Sequence, residues 1–362
     1  MSPETSTILT PGPVAVPDFV LQAIAHPVIH QRSPAFLEFF SELQAGLRYL
    51  FQTEGPVVVL PATGSMAVEM TMRSLFNQGQ TIAVQANGKF SDRWLDYANY
   101  SGIQAVPMRL PWGENLDVDT LVSVIENFPG LDGLVLTHCE TSTGVQIDLE
   151  EMAFAARQVK PDITIVVDAM STVGVSPLYM DAWDLDAVVC SSQKGLFNPS
   201  GVSFVALSPR VLFQMDSPRA DDAMHLGHYW KYLAQGSFPF TPPTQLLYGV
   251  LEALERIRQD GLPVRWNLSH EMSRYCKASI QEMGGQLFGD ANSDVLTAFS
   301  FGEGDQDEIR GELLKRGFEL AGGQGALKGK IMRAGHFGWL GMDEMRGFVE
   351  ALRVVTGEKV SG

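Results

Sequence analysis

Seven short apolar runs, at residues 57–60, 81–86, 102–108, 133–138, 163–169, 187–192 and 202–208, constrain the fold of this 362-residue chain more than any other feature. Their hydrophobic residues are continuous, whereas a half-exposed strand would alternate, and continuity is what a strand buried on both faces requires. Amphipathic stretches lie between several of them, at residues 66–76 and 149–159 among others. The second has Asp148 ahead of it as N-cap and Glu151 three residues later. This alternation predicts an α/β fold, a mainly parallel seven-stranded sheet covered by helices on both faces.

Beyond residue 208 the pattern changes. Residues 209–245 contain Pro209, Pro218, Pro239, Pro242 and Pro243 and read as loops with short helices. Thr244–Asp260 has helical spacing through Leu247, Val250, Leu251 and Leu254, and further helices are expected at residues 267–283, 305–316 and 342–355. We divide the chain into an arm (1–20), a large domain (21–262) and a smaller C-terminal α/β domain (263–362).

The net charge of -16 argues against sequence-independent binding to nucleic acid or to an anionic membrane, but not against a locally positive site. The three cysteines form no CxxC pair, so neither a disulfide framework nor a thiolate zinc site is expected. His225 and His228 are closely spaced but lack an acidic or thiolate partner at motif spacing, so no metal site is expected. Without a transmembrane-length run, secretory signal or lipidation motif, the expected location is the cytoplasm.

Parallel α/β sheets bind ligands at the C-terminal ends of their strands, and several polar segments fall there. Pro61-Ala62-Thr63-Gly64-Ser65 joins a strand to a helix, either as an anion cradle or as a plain connector capped by Thr63 or Ser65. His138-Cys139-Glu140-Thr141-Ser142-Thr143-Gly144 supplies hydroxyls or is simply a polar loop. Asp168, ending another strand, either faces the crevice or caps a turn. Phe90 either stacks on an aromatic ligand or joins the core. Lys194, in Ser192-Gln193-Lys194-Gly195, is either solvated or enters the cleft, where it can form a Schiff base with a carbonyl cofactor. Arg333, in Lys330-Ile331-Met332-Arg333-Ala334-Gly335-His336, is a surface residue or grips a carboxylate bidentately.

Taken together, these segments resemble the class V, fold-type I pyridoxal phosphate aminotransferases, and within them the alanine–glyoxylate/serine–pyruvate group. The likeness is carried by Thr10-Pro11-Gly12-Pro13, Arg32-Ser33-Pro34-Ala35-Phe36, residues 62–69, residues 140–145, Val167-Asp168-Ala169, residues 192–195 and Phe240-Thr241-Pro242, and spans about residues 8–345. The resemblance implies that Lys194 carries the cofactor, Asp168 pairs with its pyridine nitrogen, and Phe90 and Met170 pack on its ring. It further implies that Thr141 bonds the phenolic oxygen, while Thr63, Gly64, Ser65 and Gln193 hold the phosphate with Thr241 of the neighbouring subunit in a homodimer. Arg333 and Gly12 would meet the substrate carboxylate. The family often has tyrosine three residues before the threonine of the Thr-Pro motif; here that residue is Phe238, which leaves one phosphate contact missing.

The expected activity is transamination between a small α-amino acid, of alanine or serine type, and glyoxylate or pyruvate. An aspartate or aminophosphonate donor is the alternative within this chemistry. A cysteine desulfurase or other class V lyase is the rival on the same fold, but residues 321–332 hold no cysteine ahead of Arg333. Joint retention of Lys194, Asp168 and Arg333 speaks against a non-catalytic binding module.

Overall fold

The apolar runs assemble as their continuity requires. A computed structural model describes residues 6–217 and 219–360; the first five residues of the expected arm, Pro218 and the last two residues lie outside the described residues. The strands are β1 (Val57–Leu60), β2 (Thr81–Ala86), β3 (Gln104–Arg109), β4 (Gly133–Thr137), β5 (Thr164–Asp168), β6 (Ala187–Ser191) and β7 (Ser203–Leu207). They form one seven-stranded sheet in the order β1-β7-β6-β5-β4-β2-β3. β3, β2, β4, β5 and β6 pair in parallel, while β7 runs antiparallel to both of its neighbours. A parallel crossover needs a dozen or more residues, usually with a helix. Residues 192–202 contain no helix, so β7 returns directly beside β6.

Successive residues point to opposite faces of the sheet. Val188 and Phe204 join the core under the helices Pro34–Phe51, Leu149–Val159 and Thr244–Asp260. Val189 and Val205 join the other, with Ala67, Met70 and Trp94. The helix expected from residue 66 begins at Gly64, with Thr63 in extended conformation as its N-cap. The helix expected from residue 267 begins at Leu262, where Pro263 occupies the first turn and its missing N–H costs nothing.

A second, four-stranded antiparallel sheet has the order Gln286–Leu287, Leu296–Ser300, Met332–Gly335, Ala321–Gly322. It packs with the helices Leu262–Glu282, Gln306–Lys315 and Met342–Val360 around Cys276, Phe299 and Phe348. In the N-terminal segment, Thr7–Ile8 pairs in parallel with Phe318–Glu319, and the helix Asp18–Ile24 starts inside the stretch read as an arm. Among the described residues no helix is long and apolar enough to cross a membrane.

Asp186, just ahead of β6, is a buried carboxylate that ties these layers together. It accepts hydrogen bonds from the Ile165 amide at 2.8 Å, the Ser208 hydroxyl at 3.0 Å and Arg157 Nη2 at 2.7 Å. Removing one partner of a buried pair leaves an uncompensated charge. We expect Arg157→Ala to cost about 3 kcal/mol in denaturant unfolding. Arg210 also reaches Asp186, but its side chain is 41% exposed, so Arg210→Ala should cost under about 1 kcal/mol. Equal losses in the two variants would contradict this assignment.

Candidate active site

The C-terminal strand ends enclose a cavity of about 240 Å³. Lys194 reaches it from the loop after β6, and its ammonium donates to the Pro11 carbonyl at 2.6 Å. Gly12 crosses over the lysine with φ +104°, and a Cβ there would collide with the Lys194 side chain. Burial of the amine, followed by the nearby Arg333 charge, pushes Lys194 down to about 8, with Asp168 opposing.

Asp168 ends β5. Its Oδ2 accepts from the Trp94 indole N–H at 3.0 Å and its Oδ1 from the Met170 amide at 3.1 Å. Burial raises its pKa, and these two hydrogen bonds pull it back. Trp94, one turn after Phe90 in the helix Lys89–Tyr100, has no part in the sequence reading, because an aromatic in an amphipathic helix reads as core.

Glu140 was also missed. Its buried carboxylate accepts from the Phe90 and Ser91 amides at 2.9 and 2.7 Å, and from the Ser142 amide and hydroxyl at 3.0 and 2.7 Å. An acid is favoured at a helix N-terminus. This one fixes the start of the Lys89–Tyr100 helix, so that Phe90 lines the cavity beside Thr141.

Thr63, Gly64 and Ser65 line the same cavity, as do Met170 and Gln193. Thr63 is the N-cap residue but makes no side-chain capping bond, which leaves its hydroxyl for a ligand. Gly64 lies against the Met170 sulfur. The Ser65 hydroxyl accepts from Arg93 Nη1 at 2.6 Å, and the Gln193 side-chain oxygen accepts from Ser191 Oγ at 2.6 Å.

An adjoining cavity of about 260 Å³ shares Gly12, Phe90, Thr141 and Lys194 with the first and adds Glu319, Gln324 and Arg333. Arg333 is 4% exposed. It gives its hydrogen bonds to carbonyls, two to Gly322 at 3.0 and 2.8 Å and one to Thr141 at 2.6 Å. Burial pushes it down to about 10. Such a cation, bonded only to carbonyls, suits an incoming anion.

Thr241 is exposed and lines neither cavity, and neither does Arg32. Phe238 packs against Phe36 and Phe40. His225 caps the helix Leu226–Leu233, accepting from the Gly227 amide at 3.0 Å. Among the described residues no group of three or more His, Cys, Asp or Glu is placed to hold a metal ion. Cys139 lines the first cavity, but burial raises its thiol to about 12, far from the thiolate that sulfur chemistry needs.

In the ligand-free protein, acylation of Lys194 by an amine-specific reagent should rise with pH around an apparent pKa near 8. Arg333→Gln should move that midpoint up and Asp168→Asn should move it down, since the arginine favours the neutral amine and the aspartate the ammonium. A midpoint at the ordinary lysine value would contradict the buried-amine geometry. Peptide mass mapping of the labelled chain supplies the readout.

Residues 18–336 match the family described as aminotransferase class-V. A Synechococcus sp. protein described as the small subunit of a soluble hydrogenase is 33% identical, across 98% of this chain and 94% of its own. The structure of an aspartate aminotransferase of subgroup IV from Thermus thermophilus is 32% identical with a TM-score of 0.91, covering 97% of this chain and 99% of that one. An alanine–glyoxylate aminotransferase from Nostoc sp. is 29% identical with a TM-score of 0.90, covering 98% and 96%.

Proposed function

This chain belongs to the class V aminotransferases, pyridoxal phosphate-dependent transaminases, and we propose that it moves the amino group of a small, non-acidic α-amino acid to glyoxylate or pyruvate. The observation that carries the reading is one cleft in which Lys194 lies between the buried acid Asp168 and the buried cation Arg333.

The residues present fit the cofactor. Lys194 offers an enclosed amine, Asp168 a buried carboxylate, and the Thr63 hydroxyl stands uncapped at a helix N-terminus. When bound, pyridoxal phosphate supplies an electron sink for the carbanion left by deprotonating the amino acid. We assign Lys194 the covalent attachment and the proton transfer. Its amine can take a proton and return it near neutral pH because burial and Arg333 hold it close to 8. Asp168 keeps a proton on the pyridine nitrogen, held in place by Trp94. Thr63, Gly64, Ser65 and Gln193 bind the phosphate, Phe90 and Met170 pack on the ring, and Thr141 bonds the phenolic oxygen. Arg333 and Gly12 receive the substrate carboxylate.

Glu319 lines the cavity that holds Arg333. Among the described residues Arg333 is the one arginine lining that cavity, so a donor with a second carboxylate would lack a second arginine there, which supports alanine or serine over aspartate. Thr241, exposed beside the half-exposed Phe240, is assigned to the cofactor site of a partner subunit in a homodimer. Residues 21–262 and 263–362 are read as two domains, since each contains its own sheet and its own buried cluster. Three buried, unpaired cysteines support a reducing, cytoplasmic setting.

Borohydride reduction and peptide mapping should place the phosphopyridoxyl group on Lys194; its appearance on Lys89 or Lys231 would overturn the attachment site. Across a panel of amino donors with glyoxylate and pyruvate, alanine or serine should give the highest kcat/KM. Aspartate, glutamate or an aminophosphonate giving the highest would overturn the donor assignment. Arg333→Gln should lower kcat/KM for α-amino acids roughly 10- to 100-fold, with less effect on amines lacking a carboxylate. In sedimentation, an active monomer would contradict the homodimer.

A further inference from the structure

Arg93 lies one turn after Phe90 in the helix Lys89–Tyr100 and lines the Lys194 cavity. Its Nη1 donates to the Ser65 hydroxyl at 2.6 Å, and its guanidinium carbon lies 5.5 Å from the centroid of the Phe90 ring. Among the described residues it forms no ion pair within 4.0 Å. Asp168 is already bonded to Trp94 and Met170, and Glu69, on the neighbouring helix, pairs with Arg73.

This cation therefore stands beside the first turn of the helix Gly64–Leu75, whose free N–H groups are themselves partially positive. The acid of this cavity, Asp168, feels the Arg93 charge but gives both oxygens to Trp94 and Met170, so two positive features still face the space beside Ser65 and favour an incoming anion. The cleft also separates its cations. Arg93 lines only the cavity containing Thr63, Gly64 and Ser65, Arg333 lines only the adjoining one, and Lys194 and Phe90 line both.

We propose that Arg93 is a phosphate-binding residue of the cofactor site. It supplies the charge-assisted contact at the helix N-terminus. The inference deepens the cofactor assignment. It also adds a second arginine to the cleft beside Arg333.

The test compares pyridoxal phosphate with pyridoxal, which has the same aldehyde and ring without the phosphate. Apoprotein is titrated with each and the Lys194 adduct is followed by its visible absorbance, so the readout is binding rather than turnover. Arg93→Gln should weaken pyridoxal phosphate binding roughly 10- to 100-fold and leave pyridoxal binding unchanged. Arg93→Lys keeps a point charge without the planar fork and should fall between wild type and Arg93→Gln. This milder variant carries the test if Arg93→Gln does not fold.

Equal weakening of both ligands would overturn the proposal, because Arg93 would then act through the Phe90 ring, which packs on both ligands alike. Unchanged binding of both would overturn it too. A raised KM for aspartate with unchanged cofactor affinity would make Arg93 a reader of the donor side chain and equally overturn it. Failure of the wild-type protein to bind pyridoxal phosphate would instead defeat the cofactor assignment on which the inference rests.

Discussion

The hydrogen bond from the Lys194 ammonium to the Pro11 carbonyl joins the lysine loop of the large sheet to the N-terminal segment that walls the cleft. Lys194 lies in the loop that follows β6 of the large sheet. Pro11 belongs to a segment held by the C-terminal part of the chain: the Leu9 amide donates to the carbonyl of Glu319, beside the Thr7–Ile8 pairing, at 2.8 Å, and the Leu9 carbonyl accepts from the Gly335 amide of the second sheet at 2.6 Å. Gly335 lies two residues from Arg333 on the same strand. The Val14 amide then donates to the Gln193 carbonyl at 3.2 Å, which returns the chain to the lysine loop. Gly12 is needed between these anchors because its positive φ and absent Cβ let the backbone cross the lysine without displacing it. The N-terminal segment thus walls both cavities and sets where the amine rests.

Electrostatics within the cleft oppose those of the molecule. The chain carries a net charge of -16, yet Lys194, Arg93 and Arg333 line the two cavities. Burial, with the Arg333 charge second, lowers Lys194 to about 8, and burial lowers Arg333 to about 10. The same arrangement has two consequences. It leaves more of Lys194 neutral and able to accept a proton than an exposed lysine would have, and it makes anions the ligands that relieve the repulsion. A phosphate at the Gly64 helix end and a carboxylate at Arg333 would each neutralise one cation. That division of labour follows from which cavity each arginine lines.

Much of this was legible in the sequence because burial on both faces leaves a continuous apolar signature. Val188 and Val189 are both apolar because they point into different cores. Strand ends could then be read, and with them Asp168 and Lys194. Strand direction could not, since a buried antiparallel strand such as β7 has the same composition as a parallel one. The two-residue strands of the second sheet are too short to show periodicity. Trp94 and Arg93 were hidden for opposite reasons, one resembling core and the other a solvated helix face. Their roles depend on which strand end the helix faces. Glu140 stood inside a quoted motif without a role, because its four hydrogen-bond partners lie partly in another element.

The antiparallel return from β6 to β7 bears directly on the lysine. A crossover helix would carry the chain away from the strand end at that point. Instead residues 192–202 fold back on themselves. The Asn198 amide donates to the Ser192 carbonyl at 3.0 Å, the Phe197 amide to the Lys194 carbonyl at 2.9 Å, and the Ser192 hydroxyl to the Pro199 carbonyl at 2.6 Å. Phe197 adopts φ 37°, a left-handed conformation that costs a non-glycine residue about 1–3 kcal/mol and persists only where its surroundings enforce it. Gly195 lies so close to the Val173 carbonyl that no side chain fits between them. The backbone of Lys194 is therefore held from both sides, and the freedom left to the residue is that of its four-carbon side chain. The role proposed for Lys194, attaching a cofactor, releasing it and carrying a proton at one place, needs that combination, a fixed Cα and a movable amine.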